Sequence, residues 1–69
     1  MDGLIAYFQQ RQKRCREQLV LAETPGFYVR QLVPGFPEAD ITEQYRTSLR
    51  VAIDDYQSAI DYMHETGAQ

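Results

Sequence analysis

One long apolar stripe in the second half of the chain constrains the fold more than any other feature. Its members recur at spacings of three and four residues, which places them on one side of an α-helix. They are Tyr45, Leu49, Ala52, Ile53, Tyr56, Ala59, Ile60 and Met63. At about 100° per residue the stripe covers an arc of about 120°. A single partner helix cannot cover an arc of that width, so the stripe predicts a helix with more than one packing neighbour.

A second periodic segment near the start of the chain predicts another helix. Its apolar residues repeat at helical spacing: Leu4, Ile5, Phe8, Cys15, Leu19 and Ala22. Helix one is predicted over about residues 2–24, with Asp2 as its N-cap and Pro25-Gly26 as its stop. Helix two is predicted over about residues 38–66. It begins after Pro37 or after Asp40, which forms a capping box with Glu43, and it ends at Thr66-Gly67.

The length of the chain sets the expected architecture. A chain of 69 residues is predicted to be one domain, and a domain of this size is marginally stable because it removes only about 60% of its unfolded surface. Cys15 is the only cysteine and His64 the only histidine, so neither an internal disulfide nor a structural zinc site is expected. A partner chain is the remaining source of support. We therefore expect an all-α fold, an antiparallel two-helix hairpin that dimerises into a four-helix bundle.

The core and the dimer interface are expected to share one set of side chains. Helix one contributes Phe8, Cys15 and Leu19. Helix two contributes most of its stripe: Tyr45, Leu49, Ala52, Ile53, Tyr56, Ile60 and Met63. Gln12 interrupts the apolar face of helix one and has two equal interpretations. It is either a buried polar residue that fixes the register between helices, or a residue at the rim of the interface.

The connector between the helices, about residues 25–37, is long for a helix–helix connection and unusually apolar. It contains Phe27, Tyr28, Val29, Leu32, Val33 and Phe36. Periodicity does not decide whether this segment forms strand, helix or coil. The favoured interpretation is that the connector folds over one end of the hairpin and closes the core. In the alternative, part of it stays exposed as an anchor for a partner protein.

Charge is unevenly distributed along the chain, whose net charge is −3. Basic residues cluster on helix one at Arg11, Lys13, Arg14 and Arg16, and acidic residues on helix two at Asp54, Asp55, Asp61 and Glu65. We expect Arg11 or Arg16 to pair with Asp54, Asp55 or Asp61, within one chain or across a dimer. A phosphate-binding strip is the alternative. It is disfavoured because the four basic side chains project in several directions and the net charge is acidic.

Neither catalytic nor membrane-spanning signals emerge from the sequence. His64 lies in the last predicted turn, where a cation suits the helix dipole, and Cys15 lies on the apolar face. The sequence has no glycine-rich phosphate loop, metalloprotease motif or nucleophile elbow. No apolar run approaches the roughly 20 residues of a membrane span, and a signal peptide is not evident. We expect a cytoplasmic protein that is not an enzyme and has no cofactor, metal site or membrane contact.

By elimination, the sequence favours a small protein-binding module of bacterial or phage-accessory type that modulates or inhibits a partner protein. The candidate contact residues are Tyr28, Arg30, Phe36 and Tyr62, since aromatic residues and arginine are enriched among binding hot spots. Two alternatives belong to other classes of protein. One is a small DNA-binding transcriptional regulator that uses the basic helix one. The other is a structural subunit of a larger assembly.

Overall fold

Two long antiparallel helices make up most of the molecule. The computed structural model describes residues 3–67. Helix α1 spans Gly3–Ala22 and helix α2 spans Thr42–Thr66. Between them lie two short strands, β1 at Arg30–Gln31 and β2 at Ala39–Asp40. The prediction of a mainly helical chain with two helices is confirmed, and the connector, whose conformation the sequence left open, contains a small two-stranded sheet.

Helix α1 ends close to the predicted stop. The last turn tightens, as the amide of Thr24 donates to the carbonyl of Leu21 at 3.2 Å, and the Thr24 hydroxyl donates to the carbonyl of Val20 at 3.1 Å. Pro25 then biases Thr24 away from helical geometry. Gly26 has a φ of 88°, which turns the chain out of the helix direction. The predicted N-cap, Asp2, lies outside the described residues.

Of the two predicted starts of α2, the one after Pro37 is wrong, and the one after Asp40 lies within one residue of the observed start at Thr42. Ala39 and Asp40 are extended because they pair with Gln31 and Arg30 in the antiparallel sheet, and α2 begins only at Thr42. The side chain of Asp40 accepts hydrogen bonds from both the amide and the hydroxyl of Thr42. Asp40 therefore accepts a hydrogen bond from a free amide of the first turn of α2, although Asp40 itself lies in β2.

The start of α2 lacks the predicted capping box and its end agrees with the prediction, each for a local reason. The predicted capping box does not form, because the carboxylate of Glu43 pairs with Arg46 one turn ahead. At the other end, Gly67 adopts the left-handed conformation with a φ of 72°. This geometry confirms the predicted C-terminal end of α2, since glycine takes a positive φ without steric cost.

The core between the two helices is small. Ile5, Ile60 and Met63 form a buried cluster against which Phe8 packs, and Leu49 and Ala22 are buried elsewhere along the hairpin. Within residues 3–67 no large side chain is fully buried. The other predicted core residues are only partly buried: Cys15, Leu19, Tyr45, Ala52, Ile53 and Tyr56. One hairpin therefore covers only part of the apolar stripe.

Gln12 is the main polar residue in this helix interface. It is only 4% exposed, and its Nε2 donates to the carbonyl of Ile53 and to Oε1 of Gln57, both at 3.0 Å. The interpretation of Gln12 as a buried residue is confirmed, and the rim interpretation is wrong. Both hydrogen bonds form only when Gln12 lies beside Ile53 and Gln57. A shift of one helix along the other would break them, so Gln12 fixes the register of the two helices.

Neither α1 nor α2, over the part of the chain that the structure describes, is long and apolar enough to cross a membrane.

Candidate protein-interaction surface

The segment 27–41 forms a folded projection that we call the connector arm. Its two strands pair antiparallel, with Arg30 opposite Asp40 and Gln31 opposite Ala39. At the tip, the amide of Phe36 donates to the carbonyl of Val33 at 3.0 Å. Gly35 has a φ of 86° and follows a proline, which is the arrangement of a type II turn. The connector is therefore an ordered hairpin-like arm.

The base of the connector arm is tied to the start of α2. The amide of Ile41 donates to the carbonyl of Val29 at 2.9 Å, and the amide of Val29 donates to the buried hydroxyl of Thr42 at 3.0 Å. The ring of Phe27 stacks on Tyr45, with 5.8 Å between the ring centroids. These contacts close the base of the arm and join it to the first turns of α2.

Charged groups reinforce the same base. Arg30 and Glu38 form an exposed ion pair at 3.3 Å across the arm. The hydroxyl of Thr42, followed by its backbone amide, lowers the pKa of Asp40 below its ordinary value by stabilising the charged carboxylate. Asp40 therefore acts as a fixed acceptor at neutral pH, and its hydrogen bonds to Thr42 link β2 to the first turn of α2.

The apolar side chains of the arm point away from the hairpin. Tyr28 is 67% exposed, Leu32 76% and Phe36 72%, and Val33 is exposed as well. The prediction that the connector closes the core is wrong for these residues. The apolar contact of the arm with α2 lies at its base, where Phe27 stacks on Tyr45, and every residue from 30 to 40 is exposed. Phe27 and Val29 are partly buried against the scaffold, which leaves Tyr28 and Arg30 on the outer side.

The structure brings most of the predicted contact residues together. Tyr28, Arg30 and Phe36 all lie on the connector arm and are exposed. Tyr62 is exposed too, but it lies 20 residues along α2 from Thr42, about 30 Å from the base of the arm. Leu32 is exposed on the arm as well, but it is not among the contact residues predicted from the sequence.

A second surface runs along the helices beside the core, and we call it the open face. Its aromatic rings form a chain, with centroid separations of 5.7 Å for Tyr7–Phe8 and 5.8 Å for Phe8–Tyr56. The guanidinium of Arg11 lies 5.7 Å from the ring of Tyr7 and donates a long hydrogen bond of 3.4 Å to the hydroxyl of Tyr56. A groove of about 200 Å³ on this face is lined by Arg11, Arg14, Cys15, Gln18 and Tyr56.

The predicted charge pairs between the helices do not form within residues 3–67. The ion pairs there are Arg30–Glu38, Glu43–Arg46 and Glu23–Arg50. Arg11 turns to Tyr56 instead, and that hydrogen bond raises the pKa of Arg11. Asp61 accepts a hydrogen bond from the side-chain amide of Gln57 at 2.8 Å. Asp54 and Asp55 are exposed and remain available for the other predicted case, a pair across a dimer.

Residues with catalytic or metal-binding chemistry are dispersed. Among the residues that the structure describes, no group of three or more histidine, cysteine, aspartate or glutamate side chains could hold a metal ion. Cys15 is partly buried and His64 is exposed at the end of α2. An open depression of about 350 Å³ at the base of the arm is lined by Phe27, Asp40, Thr42 and Arg46 among others, and Asp40 is already bonded to Thr42 there.

Comparison with protein-family models, curated proteins and solved structures finds no match for this chain. The connector arm and the open face are therefore the observations from which a function is argued.

Proposed function

We propose that this chain is a small, non-enzymatic module that binds a partner protein through the connector arm and modulates it. The setting we propose is the cytoplasm of a bacterium, as a bacterial or phage-type accessory protein. One observation carries the proposal: Tyr28, Leu32, Val33 and Phe36 are exposed on an arm whose backbone is ordered. Apolar side chains grouped in this way favour removal from water by a partner.

The ordering of the arm matters for affinity. A loop that orders only on binding loses conformational entropy, and that loss subtracts from the binding free energy. Here the sheet pairing and the bonds of Val29 and Ile41 hold the backbone before any partner arrives. The exposed aromatic residues, Tyr28 and Phe36, are therefore preorganised anchors of the type that dominates binding energy.

The chemistry around the anchors indicates what kind of partner fits. Tyr28 has a phenol at the end of an apolar ring, and the ion pair of Arg30 with Glu38 lies on the same arm. An apolar centre with a polar border is typical of protein interfaces. The partner surface that fits is a groove or shallow pocket with an apolar floor and a polar rim.

The proposal includes a second copy of the chain, with the two hairpins forming a four-helix bundle. Support comes from the stripe residues that one hairpin leaves partly exposed, Tyr45, Ala52, Ile53 and Tyr56. The connector arm does not belong to this helix-to-helix contact. The dimer thus carries two arms, which increases the effective concentration of the second binding event once the first has formed.

The test compares capture of a partner by the intact protein and by an arm variant. The variant is Tyr28→Ala with Phe36→Ala, and its control is Val20→Ala with Leu21→Ala, which removes two exposed apolar side chains from α1. After a stoichiometric partner is identified by mass spectrometry from lysate, its affinity is measured for all three proteins. We expect the arm variant to bind at least about tenfold more weakly and the control to bind normally.

Two outcomes contradict this proposal. Equal affinity of the arm variant and the control would place the binding site elsewhere. Loss of helical circular dichroism in the arm variant would show that Tyr28 and Phe36 are core residues. Retention of nucleic acid alone, released steeply by salt, would instead favour the alternative in which the basic residues of α1 bind DNA.

A further inference from the structure

The two faces of the hairpin differ in how completely they are filled. On one side, which we call the closed face, Gln12 bonds to Ile53 and Gln57 and is itself buried. On the other side, the open face, Arg11 and Tyr56 border a groove. On the open face, one hairpin leaves the apolar side chains of Phe8, Cys15 and Tyr56 partly exposed, and a second copy can cover them.

The two edges of the open face carry opposite charge. Asp55 and Gln57 stand on opposite sides of Tyr56, each about 100° around α2. Because Gln57 belongs to the closed face, Asp55 lies at the outer edge of the open face. The α1 edge is basic, since Arg11 bonds to Tyr56 and Arg14 lines the same groove. None of these three charged groups forms an ion pair within residues 3–67.

Apolar side chains accompany the charges at both edges. Val51 and Tyr62 lie on the same line of α2 as Asp55, four residues before it and seven after, and both are exposed. Tyr7 is exposed on the α1 side, next to Phe8. Each edge therefore combines charge with apolar area, and the two edges are complementary in sign.

We propose that two copies pack open face to open face about a two-fold axis parallel to the helices, with α1 of each copy covering α2 of the other. This arrangement rests on the dimer included in the proposed function. Rotation about an axis parallel to the helices does not change the position of a residue along the helix direction. Residues at the same height in one protomer therefore face each other across the dimer. Arg11 contacts Tyr56 within one chain, so Arg11 and Asp55 stand at nearly the same height. Arg11 of one protomer thus meets Asp55 of its partner.

The same two-fold rotation also brings exposed apolar residues of the two protomers together. Ile5 packs with Ile60 and Met63, so Tyr7 and Tyr62 also stand at similar heights on the two edges. The parallel axis brings Tyr7 of one protomer beside Tyr62 of its partner, twice in the dimer. Both rings then leave water, which is favourable in proportion to the apolar area removed.

The competing arrangement has its axis across the helices and is opposed by charge. In that dimer α1 lies on the α1 of the partner, and α2 on α2. Arg11 and Arg14, near the middle of α1, would then face their own copies, and so would Asp55. Juxtaposed like charges disfavour an interface, so the charge pattern selects the parallel axis.

Charge reversal with light scattering tests the arrangement. We expect the Asp55→Arg variant to raise the dimer dissociation constant at least about tenfold, and a second reversal, Arg11→Glu with Asp55→Arg, to restore the dimer. The matched control is Asp54→Arg, which makes the same charge change on the far side of α2, about 200° from Tyr56. The control should dimerise like the unaltered protein.

Disulfide trapping tests the same arrangement independently of charge. In a Cys15→Ser background, Tyr7→Cys with Tyr62→Cys should give covalent dimers under mild oxidation, and either substitution alone should not. In the unaltered protein, an efficient disulfide between two copies of Cys15 would overturn the proposal. In the parallel-axis dimer the α1 helices lie diagonally apart, beyond the roughly 7 Å between Cα atoms that a disulfide spans.

The outcomes separate this proposal from the one on which it rests. A dimer that withstands Asp55→Arg, or that links through Cys15, overturns the parallel axis and leaves the four-helix bundle in place. An unaltered protein that stays monomeric at every accessible concentration overturns both. Neither result touches binding of a partner through the connector arm, which the arm variant measures.

Discussion

The connector arm and the helix pair are stabilised in opposite ways. In the helix pair, apolar side chains such as Ile60 point inward, and one polar residue, Gln12, fixes the register. In the arm, backbone and polar side-chain bonds at Val29, Asp40 and Thr42 hold the structure, and the large apolar side chains point outward. Apolar side chains therefore contribute to folding in the helix pair and are available for binding in the arm.

The largest expected effect comes from removing an inward apolar side chain. Ile60→Ala leaves a cavity in the buried cluster with Ile5 and Met63, and we expect it to lower the free energy of unfolding by about 2–4 kcal/mol. Urea denaturation followed by circular dichroism measures this loss. Thr47→Ala, at an exposed position of the same helix, is the control and should change stability little. Equal effects at both positions would remove the distinction between inward and outward residues of α2.

The second-largest effect is expected at Gln12, the polar residue that fixes the register of the helices. Gln12→Leu removes both hydrogen bonds to α2 and leaves the carbonyl of Ile53 without that partner. Each hydrogen bond contributes a net free energy of about 0.5–1.5 kcal/mol, so we expect the loss of both to lower the free energy of unfolding by about 1–3 kcal/mol. Gln10→Leu, at an exposed position of α1, is its control. A Gln12→Leu protein as stable as the control would show that α1 and α2 align through apolar packing alone.

A smaller and more local effect is expected at the base of the arm. Thr42→Val keeps the shape of the side chain but removes the hydroxyl that accepts from the amide of Val29. We expect a loss of about 1 kcal/mol and faster hydrogen exchange at the amides of Val29 and Ile41. Ser48→Ala is the comparison, since its hydroxyl bonds only within α2. Unchanged exchange at Val29 would contradict the assignment of the arm as a structure held by polar contacts.

The smallest effect concerns pH. Because Thr42 lowers the pKa of Asp40, ionised Asp40 stabilises the folded arm fully above the ordinary aspartate pKa of about 4. This stabilisation is lost as pH falls through the lower pKa of the folded state. Asp40→Asn should therefore narrow the difference in melting temperature between neutral and acidic pH, whereas Asp54→Asn should have a smaller effect. Identical dependence of the melting temperature on pH in the two variants would contradict the stabilisation of the arm by ionised Asp40.

Local features of the chain predicted much of the helix pair. The spacing of Leu49, Ile60 and Met63 placed them on the inward face, where they are buried. Pro25-Gly26 and Gly67 predicted the helix ends within two residues, because backbone restrictions at proline and glycine act locally. The predicted contact residues Tyr28 and Phe36 are exposed as a binding role requires, and binding itself stays a prediction.

The sequence by itself therefore determined the two helices, their apolar faces and the approximate residues at which both helices stop, since these depend on spacing and on the conformations that single residues allow. Only the tertiary structure decided the rest. The strands at Arg30–Gln31 and Ala39–Asp40 are two residues each, too short for a period, and they exist because distant segments pair. The burial of Gln12 and the outward direction of Leu32 likewise follow from what lies opposite each side chain, and contacts of that kind form only when the chain is folded.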